Sequence, residues 1–502
     1  TGMYSADEIK QNPLGNKLAG CPLDQQISEM NLLKAQGNNL AAIIMLMRDN
    51  PLAVLTGYRI CNDCSKACIF QKQEPVDIPY IESQIVNSLL SIDYGFEIYY
   101  LLTQWQPLNF SAPVPSAASG RKVLVVGMGP AGITLSYYML RAGHQVIAID
   151  GMRISPLSKE LVTTPVENFF ALATNCDQAA FGGVAAYGIT SRWDKRLLLA
   201  ARLILERSQD FSLFSGVRFG SNITEEQAWK MGFDYIGLAL GAGTQQLLPI
   251  PGNLAPGVKM AADFLMTLHL AKPYHQHSLA SLPLKLPVVV IGGGLTAIDA
   301  ATEAAAYYPE LVLNFSKKVT EIGGTVWLNT LPPKEHELAQ LWLNHAHLYK
   351  SELQAATAKG READFSTITR TLGGVKLIYH RELDQAASYR LNHQEIQESL
   401  KQGIEIIDNM SAQEIITNHH GEVEAVRIKE LDGTEAIIKA ASVLVAIGTK
   451  ISNATYKASK ISVVGDADPS YYGSVVKAIA SSKASSPTID DYLRSITPAS
   501  NL

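Results

Sequence analysis

Two stretches of the chain share one pattern: an uninterrupted apolar run, a cluster of glycines, and then apolar residues at helical spacing. The first runs Arg121-Lys-Val-Leu-Val-Val-Gly127-Met-Gly129-Pro130-Ala131-Gly132, stays helical through Leu140, and reaches His144-Gln-Val-Ile-Ala-Ile-Asp150. This predicts strand, turn, helix and strand, because a parallel strand buried on both faces reads as a continuous hydrophobic run. The second is Val288-Val-Val-Ile-Gly292-Gly-Gly294-Leu295-Thr296-Ala297, followed by a helix expected to end at Tyr308. The first 115 residues differ: they lack strand alternation and read as helices, one carrying Ile27, Met30, Leu32 and Leu33 and another spanning Leu40 to Met47.

Glycines between a strand and a helix give the turn a chemistry. They permit a tight bend, close approach of a pyrophosphate and close helix packing, and the helix N-terminus supplies oriented N–H groups. Each stretch is therefore expected to bind a dinucleotide, through Gly127, Gly129, Pro130, Ala131 and Gly132 in one, and Gly292, Gly294, Leu295, Thr296 and Ala297 in the other. Asp150, 18 residues after Gly132, stands where a carboxylate accepts ribose hydroxyls. Near the end, Val463-Val-Gly465-Asp466 joins a strand to a helix expected over Val475–Ser482, and an aspartate on such a turn can bind a polyol hydroxyl. The loop Phe181-Gly-Gly183-Val-Ala-Ala-Tyr-Gly188 has room for a flat ring system.

Two more apolar strands, Asp234 to Leu240 before Gly241-Ala-Gly243-Thr244, and Ser442 to Ile447 before Gly448-Thr449, read as the places where the chain crosses between two nucleotide domains. A Pro/Ser/Ala/Gly stretch, Ser111 to Gly120, reads as a linker. The expected organisation is a helical region at 1–115, one Rossmann-like domain at 120–255 and 440–502, and a second at 284–439. Residues 309–374 look inserted, because the strand Val375-Lys-Leu-Ile-Tyr-His380-Arg381 ends 84 residues after Ala297, where about 20 is usual. Within them, Lys334 to Lys359 alternates charge with apolar positions and predicts a helical hairpin, either a lid or partner surface or a passive decoration.

Composition narrows the function classes. A chain of 502 residues with 42 basic and 47 acidic side chains has a net charge of −5, which argues against nucleic acid as a general partner. Its apolar runs are shorter than a membrane span. Five cysteines without a secretion signal point to a reducing cytoplasm, where clustered thiols more often hold metal than form disulfides. Cys61-Asn-Asp-Cys64-Ser-Lys-Ala-Cys68, with Cys21, supplies the four sulfurs of a [4Fe–4S] cluster; tetrahedral zinc is the chemical rival. Cys176 stands alone and reads as structural. No Cys-x4-Cys or Cys-x2-Cys adjoins the glycine turns, which argues against a disulfide reductase.

Taken together, Cys21-Pro, Asn50-Pro51 with Gly57-Tyr-Arg-Ile-Cys61, Gly127 to Gly132, Phe181-Gly-Gly with Tyr187-Gly-Ile, Gly292 to Ala297, Tyr379-His-Arg-Glu382 and Gly465-Asp466 resemble the glutamate synthase small-subunit family, which includes the N-terminal half of dihydropyrimidine dehydrogenase. The resemblance covers nearly the whole chain. It implies an α/β protein in which a helical iron–sulfur domain precedes an FAD domain, with an NAD(P)H domain inserted in the latter. It further implies that Gly127, Gly129, Gly132, Asp150 and Asp466 bind FAD, joined by Gly183, Gly188, Gly243 and Thr244, and that Gly292, Gly294 and Ala297 bind the nicotinamide cofactor.

Two departures qualify what is carried over. The three cysteines that complete a first cluster in relatives are absent before Cys21, so at most one [4Fe–4S] cluster is expected. In relatives it resembles one held by the cysteines matching Cys21, Cys61 and Cys64 with a Gln or Glu, here Glu82; on charge and softness Cys68 is the favoured fourth ligand. Relatives that use NADPH place two arginines where this chain has His380-Arg381, so Arg381 is the expected 2′-phosphate ligand, with Lys317-Lys318 as a rival site. The expected activity is NAD(P)H-dependent electron input through FAD and one cluster to a partner subunit, a fused domain or a ferredoxin-like protein. The alternatives are an assembly protein with a structural flavin, or a free-standing NAD(P)H:ferredoxin or quinone reductase.

Overall fold

The computed structural model describes residues 20–56, 61, 63–68, 70, 76–176, 194–273, 278, 280–430, 433–450 and 459–496. The chain folds as two compact units, one of Thr1–Thr244 with Lys450–Leu502, the other of Gln245–Thr449. The first opens with helices α1 (Ile27–Ala35), α2 (Asn39–Asp49), α3 (Ile78–Leu90) and α4 (Gly95–Gln104). Asn38 and Asp77 cap α2 and α3 by accepting backbone N–H groups of their first turns. Beyond the linker come β1 (Lys122–Val126), α5 (Pro130–Arg141), β2 (Gln145–Asp150), α6 (Leu197–Glu206), β3 (Phe211–Ser215) and β4 (Tyr235–Leu238).

The second unit holds β5 (Val258–Met260), β6 (Val288–Ile291), α7 (Leu295–Glu321), α8 (Pro333–Ala358), β7 (Val375–Ile378), α9 (Ala387–Lys401), β8 (Glu405–Ile407), β9 (Met410–Thr417), β10 (Val423–Glu430), β11 (Glu435–Lys439) and β12 (Ser442–Val445). Its main sheet is parallel in the order β5-β12-β6-β7-β8. An antiparallel sheet, β9-β10-β11, shares a core with it through Ile415, Val426 and Ile428. The chain then returns to the first unit with β13 (Ile461–Val463) and α10 (Val475–Ser495), completing a parallel sheet in the order β13-β4-β1-β2-β3. The central strands β1, β4, β6 and β12 are buried nearly throughout, as their unbroken apolar sequences require.

Five features differ from the sequence expectation. Helix α7 runs through Pro309 to Glu321 instead of stopping at Tyr308. Proline removes one backbone donor and crowds the preceding turn, but Tyr308, Pro309, Val312 and Val319 are buried and α7 packs along α8, which is one unbroken helix where a hairpin was expected within Lys334 to Lys359. Helix α10 likewise continues through Pro487. Residues 245–255 and 440–449, expected with the first nucleotide domain, belong to the second unit, where β12 pairs with β5 and β6. Finally, the helical region does not have a core of its own: Leu46, Leu55, Val86 and Phe96 join Val125, Ile133, Leu199 and Ile479 in one continuous cluster. Tyr137 and Arg141 of α5 reinforce that junction, donating to the Thr103 carbonyl at 3.0 and 2.7 Å.

Candidate functional site

In the first unit β1 delivers the chain to Gly127, whose φ of +96° is open to glycine without strain. A Cβ at Gly127 would overlap the Ala239 carbonyl oxygen, and one at Gly132 would overlap the Gly127 carbonyl. Both glycines are thus explained by packing of the strand, turn and helix α5. Gly129 is the N-cap of α5 and brings no side-chain cap; Pro130, the first helical residue, has no N–H to satisfy, so the early N–H groups of Ala131 and Gly132 are left for another acceptor. Asp150 reaches back to this turn: one carboxylate oxygen accepts the Met128 N–H and the other the Met152 N–H, each at 2.7 Å.

The distant Gly465-Asp466 turn closes on the same helix. Gly465, at φ +74°, approaches so closely that a Cβ would lie 2.7 Å from the Ala131 Cβ, and its N–H donates to Ser481 Oγ at 3.1 Å. Asp466 accepts the Gly473 N–H at 3.2 Å, and burial raises its carboxyl above the ordinary range. Ser474 then caps α10. The structure therefore brings Gly127, Gly129, Pro130, Ala131, Gly132, Asp150, Gly465 and Asp466 into one cradle. Uncapped amides beside a carboxylate fit the pyrophosphate and ribose of FAD. Gly243 and Thr244 are exposed residues at the end of the first unit's leading segment. Gly183 and Gly188 lie outside the described residues.

The second turn repeats the design. Gly292 sits at φ +149°, and a Cβ there would overlap the Ala446 carbonyl. Gly294 caps α7 without a side-chain bond, and a Cβ on it would meet nothing within 4 Å. The amides of Leu295, Thr296 and Ala297 open the helix beside that free space, which fits a dinucleotide pyrophosphate. Gly293, unexplained by the sequence motif, is required because a Cβ would enter the Tyr379 ring. His380 and Arg381 follow β7 as exposed side chains. Burial and the neighbouring Arg381 charge hold the His380 imidazole below its ordinary pKa. Lys317 and Lys318 lie about six turns along α7, roughly 33 Å from its start, and do not serve this site.

A third site lies in the first unit. Cys21, Cys61, Cys64 and Glu82 line one small cavity, with Asn50, Thr56 and Val476 completing its wall. Cys68, the expected fourth ligand, is not among the lining residues. Its spacing places it beyond the short helix Asp63–Lys66, whereas Glu82 is carried by α3. Burial pushes the Cys61 and Cys64 thiols up, the latter to about 12, and raises the Glu82 carboxyl to about 8. All three groups are therefore neutral at pH 7 until a metal displaces their protons. Three sulfurs and a carboxyl fit the donor chemistry of an iron–sulfur centre. Among the described residues, however, no three such side chains stand close enough together to hold a single metal ion. All five cysteines are free thiols. Among the described residues no helix is long and apolar enough to cross a membrane.

Two parallel sheets, each ending in a glycine turn and an uncapped helix, define a two-dinucleotide oxidoreductase fold. Comparison with known proteins agrees: the pyridine nucleotide-disulphide oxidoreductase family matches residues 121–468, and the chain belongs to that family. It is accordingly an NAD(P)H-dependent flavin oxidoreductase. A Rickettsia prowazekii protein, "Uncharacterized protein RP006", is 40% identical over 89% of this chain and 65% of that protein. The glutamate synthase [NADPH] small chain of Bacillus subtilis is 27% identical over 86% of this chain and 72% of its own length. That of Mycobacterium tuberculosis is 28% identical over 71% and 63%. The chain thus spans roughly two thirds of the length of these relatives. Among solved structures, Mycobacterium tuberculosis FprA in complex with NADPH aligns with a TM-score of 0.47 at 15% identity, covering 74% of this chain and 85% of that one.

Proposed function

We propose that this chain is an NADPH-dependent electron-input module serving an electron-accepting subunit, fused domain or ferredoxin-like protein. FAD is held by Gly127, Gly129, Pro130, Ala131, Gly132, Asp150 and Asp466, and NADPH by Gly292, Gly294, Leu295, Thr296, Ala297 and Arg381. One [4Fe–4S] cluster is held by Cys21, Cys61, Cys64 and Glu82, with Glu82 in place of Cys68. When bound, the nicotinamide supplies a hydride, the flavin takes up electron pairs and releases single electrons, and the cluster stores one electron.

The chain's own residues bind and orient these groups. The uncapped starts of α5 and α7 present N–H groups to phosphate, and Asp150 and Asp466 present carboxylates to hydroxyls. No side chain is assigned an acid or base role, because hydride transfer needs none. Arg381 carries the preference for NADPH, since His380, exposed but with its pKa lowered, is neutral at pH 7 and offers phosphate no charge. The family's disulphide chemistry is not part of this reading, because no cysteine pair adjoins either glycine turn.

One observation carries the reading. Val476, in the first turn of the helix that follows Asp466, walls the cavity of Cys21, Cys61, Cys64 and Glu82. The thiol site and the cradle thus share α10, and Lys483 of the same helix donates to the Leu23 and Asp49 carbonyls at 2.9 Å each. Iron and acid-labile sulfide analysis tests it. Cys61→Ser is expected to lose the cluster while retaining flavin, Glu82→Ala to weaken it, and Cys68→Ala to leave it intact. Undiminished iron in Cys61→Ser, or loss of iron in Cys68→Ala, contradicts the assignment.

A further inference from the structure

We infer that Ser388 is a positioning residue for the second glycine turn, acting on bound dinucleotide through the peptide that joins Gly293 to Gly294. The inference rests on the reading of that turn as the NAD(P)H site. Ser388 stands in the first turn of α9, nearly a hundred residues beyond the glycines, and is 1% exposed. It makes two bonds to one acceptor: its backbone N–H reaches the Gly293 carbonyl at 3.0 Å and its Oγ–H reaches the same oxygen at 2.9 Å.

The consequence follows from the geometry of a peptide. A trans peptide is planar, so the carbonyl of Gly293 and the N–H of Gly294 point in opposite directions and turn only together. Tying that carbonyl to α9 aims the Gly294 N–H away from α9. At Gly294 the space is free, since an added Cβ would meet no atom within 4 Å. The opposite choice, carbonyl outward, would set a negative dipole end toward an anion and forfeit both bonds. Tyr379 closes the remaining freedom, because its ring fills the volume a side chain at residue 293 would take.

Helix α9 is suited to the task. The first amides of a helix have no partner within it, and the helix dipole places positive potential there. Ala386, the N-cap of α9, supplies no side-chain cap, so the Gly293 carbonyl serves as acceptor for the helix while the helix fixes the carbonyl. The serine hydroxyl doubles a contact that any residue's backbone would make. Alanine at 388 keeps the N–H bond and removes the second, so the peptide gains freedom without loss of the fold.

The test compares wild type and Ser388→Ala in equilibrium binding of NADP+ and NAD+, which carry the pyrophosphate, with 2′-AMP and AMP, which do not. Loss of one neutral hydrogen bond corresponds to a weakening of roughly 3- to 10-fold. The expected result is that the preferred dinucleotide weakens by that factor while the monophosphates bind unchanged. Unchanged dinucleotide affinity overturns the inference, and equal weakening of both ligand types overturns it in favour of general disruption. A wild-type protein that binds neither dinucleotide overturns the reading of the turn itself, and the inference with it.

Discussion

Ser482 donates its hydroxyl to the Ala131 carbonyl at 2.8 Å across 351 positions of sequence. This bond fastens α10 to the first turn of α5 and holds Gly465 against Ala131. The cradle proposed for the flavin pyrophosphate is therefore assembled from both ends of the first unit, and its integrity depends on the late segment as much as on the glycine motif. Gly465→Ala is expected to show it. Left-handed backbone costs a non-glycine residue roughly 1–2 kcal/mol, and the new Cβ meets Ala131 at 2.7 Å. Flavin retained per chain after purification and the thermal midpoint should both fall, whereas Gly473→Ala, whose Cβ meets nothing within 4 Å, should retain more flavin despite its own positive φ.

The two glycine turns separate packing from ligand approach. Gly132→Ala drives a methyl into the Gly127 carbonyl and is expected to unfold the first unit or strip its flavin. Gly294→Ala adds a methyl to open space, so the thermal midpoint of the nucleotide-free protein should stay near that of wild type. Its nicotinamide dinucleotide affinity should fall at least tenfold if, as proposed, that space holds the pyrophosphate. Equilibrium dialysis and differential scanning calorimetry on the same preparations decide between the two effects.

Choice between NADPH and NADH is expected to rest on Arg381 at neutral pH. Arg381→Ala should raise the KM for NADPH about tenfold, in line with loss of a charge-assisted contact of roughly 1.5–3 kcal/mol, and leave that for NADH nearly unchanged. His380 adds a pH dependence of known sign. Its pKa is depressed, so it gains charge only in acid, and preference for NADPH should increase as pH falls. His380→Gln should abolish that increase while preserving the preference at pH 8.

The glycine motifs, the strands around them and the convergence of Asp150 on the first turn were legible because each is carried by residues close in sequence and by a strict period. The long helices run farther than the sequence indicated, past the expected ends at Tyr308 and Ser482 and through Pro309 and Pro487. A local rule assigns proline a cost of about 3 kcal/mol, while burial of Tyr308, Val312 and Val319 against a partner helix is invisible to it. The fourth residue at the thiol cavity was misjudged for a related reason. Cys68 is near Cys64 along the chain, but Glu82 is brought in by packing of α3. Ser388 and Ser482 carry no periodic signal, and each acts on a glycine turn from far away in sequence. The middle glycine of Gly292-Gly-Gly294 did hold a clue, since the dinucleotide motif needs no glycine there and the Tyr379 ring does.

Stability should also report on a buried histidine. His144 is fully buried between Ser119 Oγ, 2.6 Å from Nδ1, and Asp490, 2.9 Å from Nε2, with Arg494 and Asp234 nearby. Burial is the leading effect and lowers its pKa below 6.5, although Asp490 opposes it. A group with a depressed folded pKa contributes stability that is complete above the unfolded value and lost as pH falls through the folded one. Unfolding free energy should therefore drop below pH 6.5, and His144→Gln, measured by urea titration across pH 5–8, should flatten that decline.

The most direct measurement is an anaerobic absorbance titration of the purified protein with NADPH and then NADH, paired with iron and zinc analysis. The expected result is bleaching of bound flavin by NADPH at lower concentration than by NADH, with about four irons per chain, the content of one [4Fe–4S] cluster. Bound flavin that neither nucleotide reduces, in a protein without iron, would contradict the electron-input account and leave a structural flavin in its place.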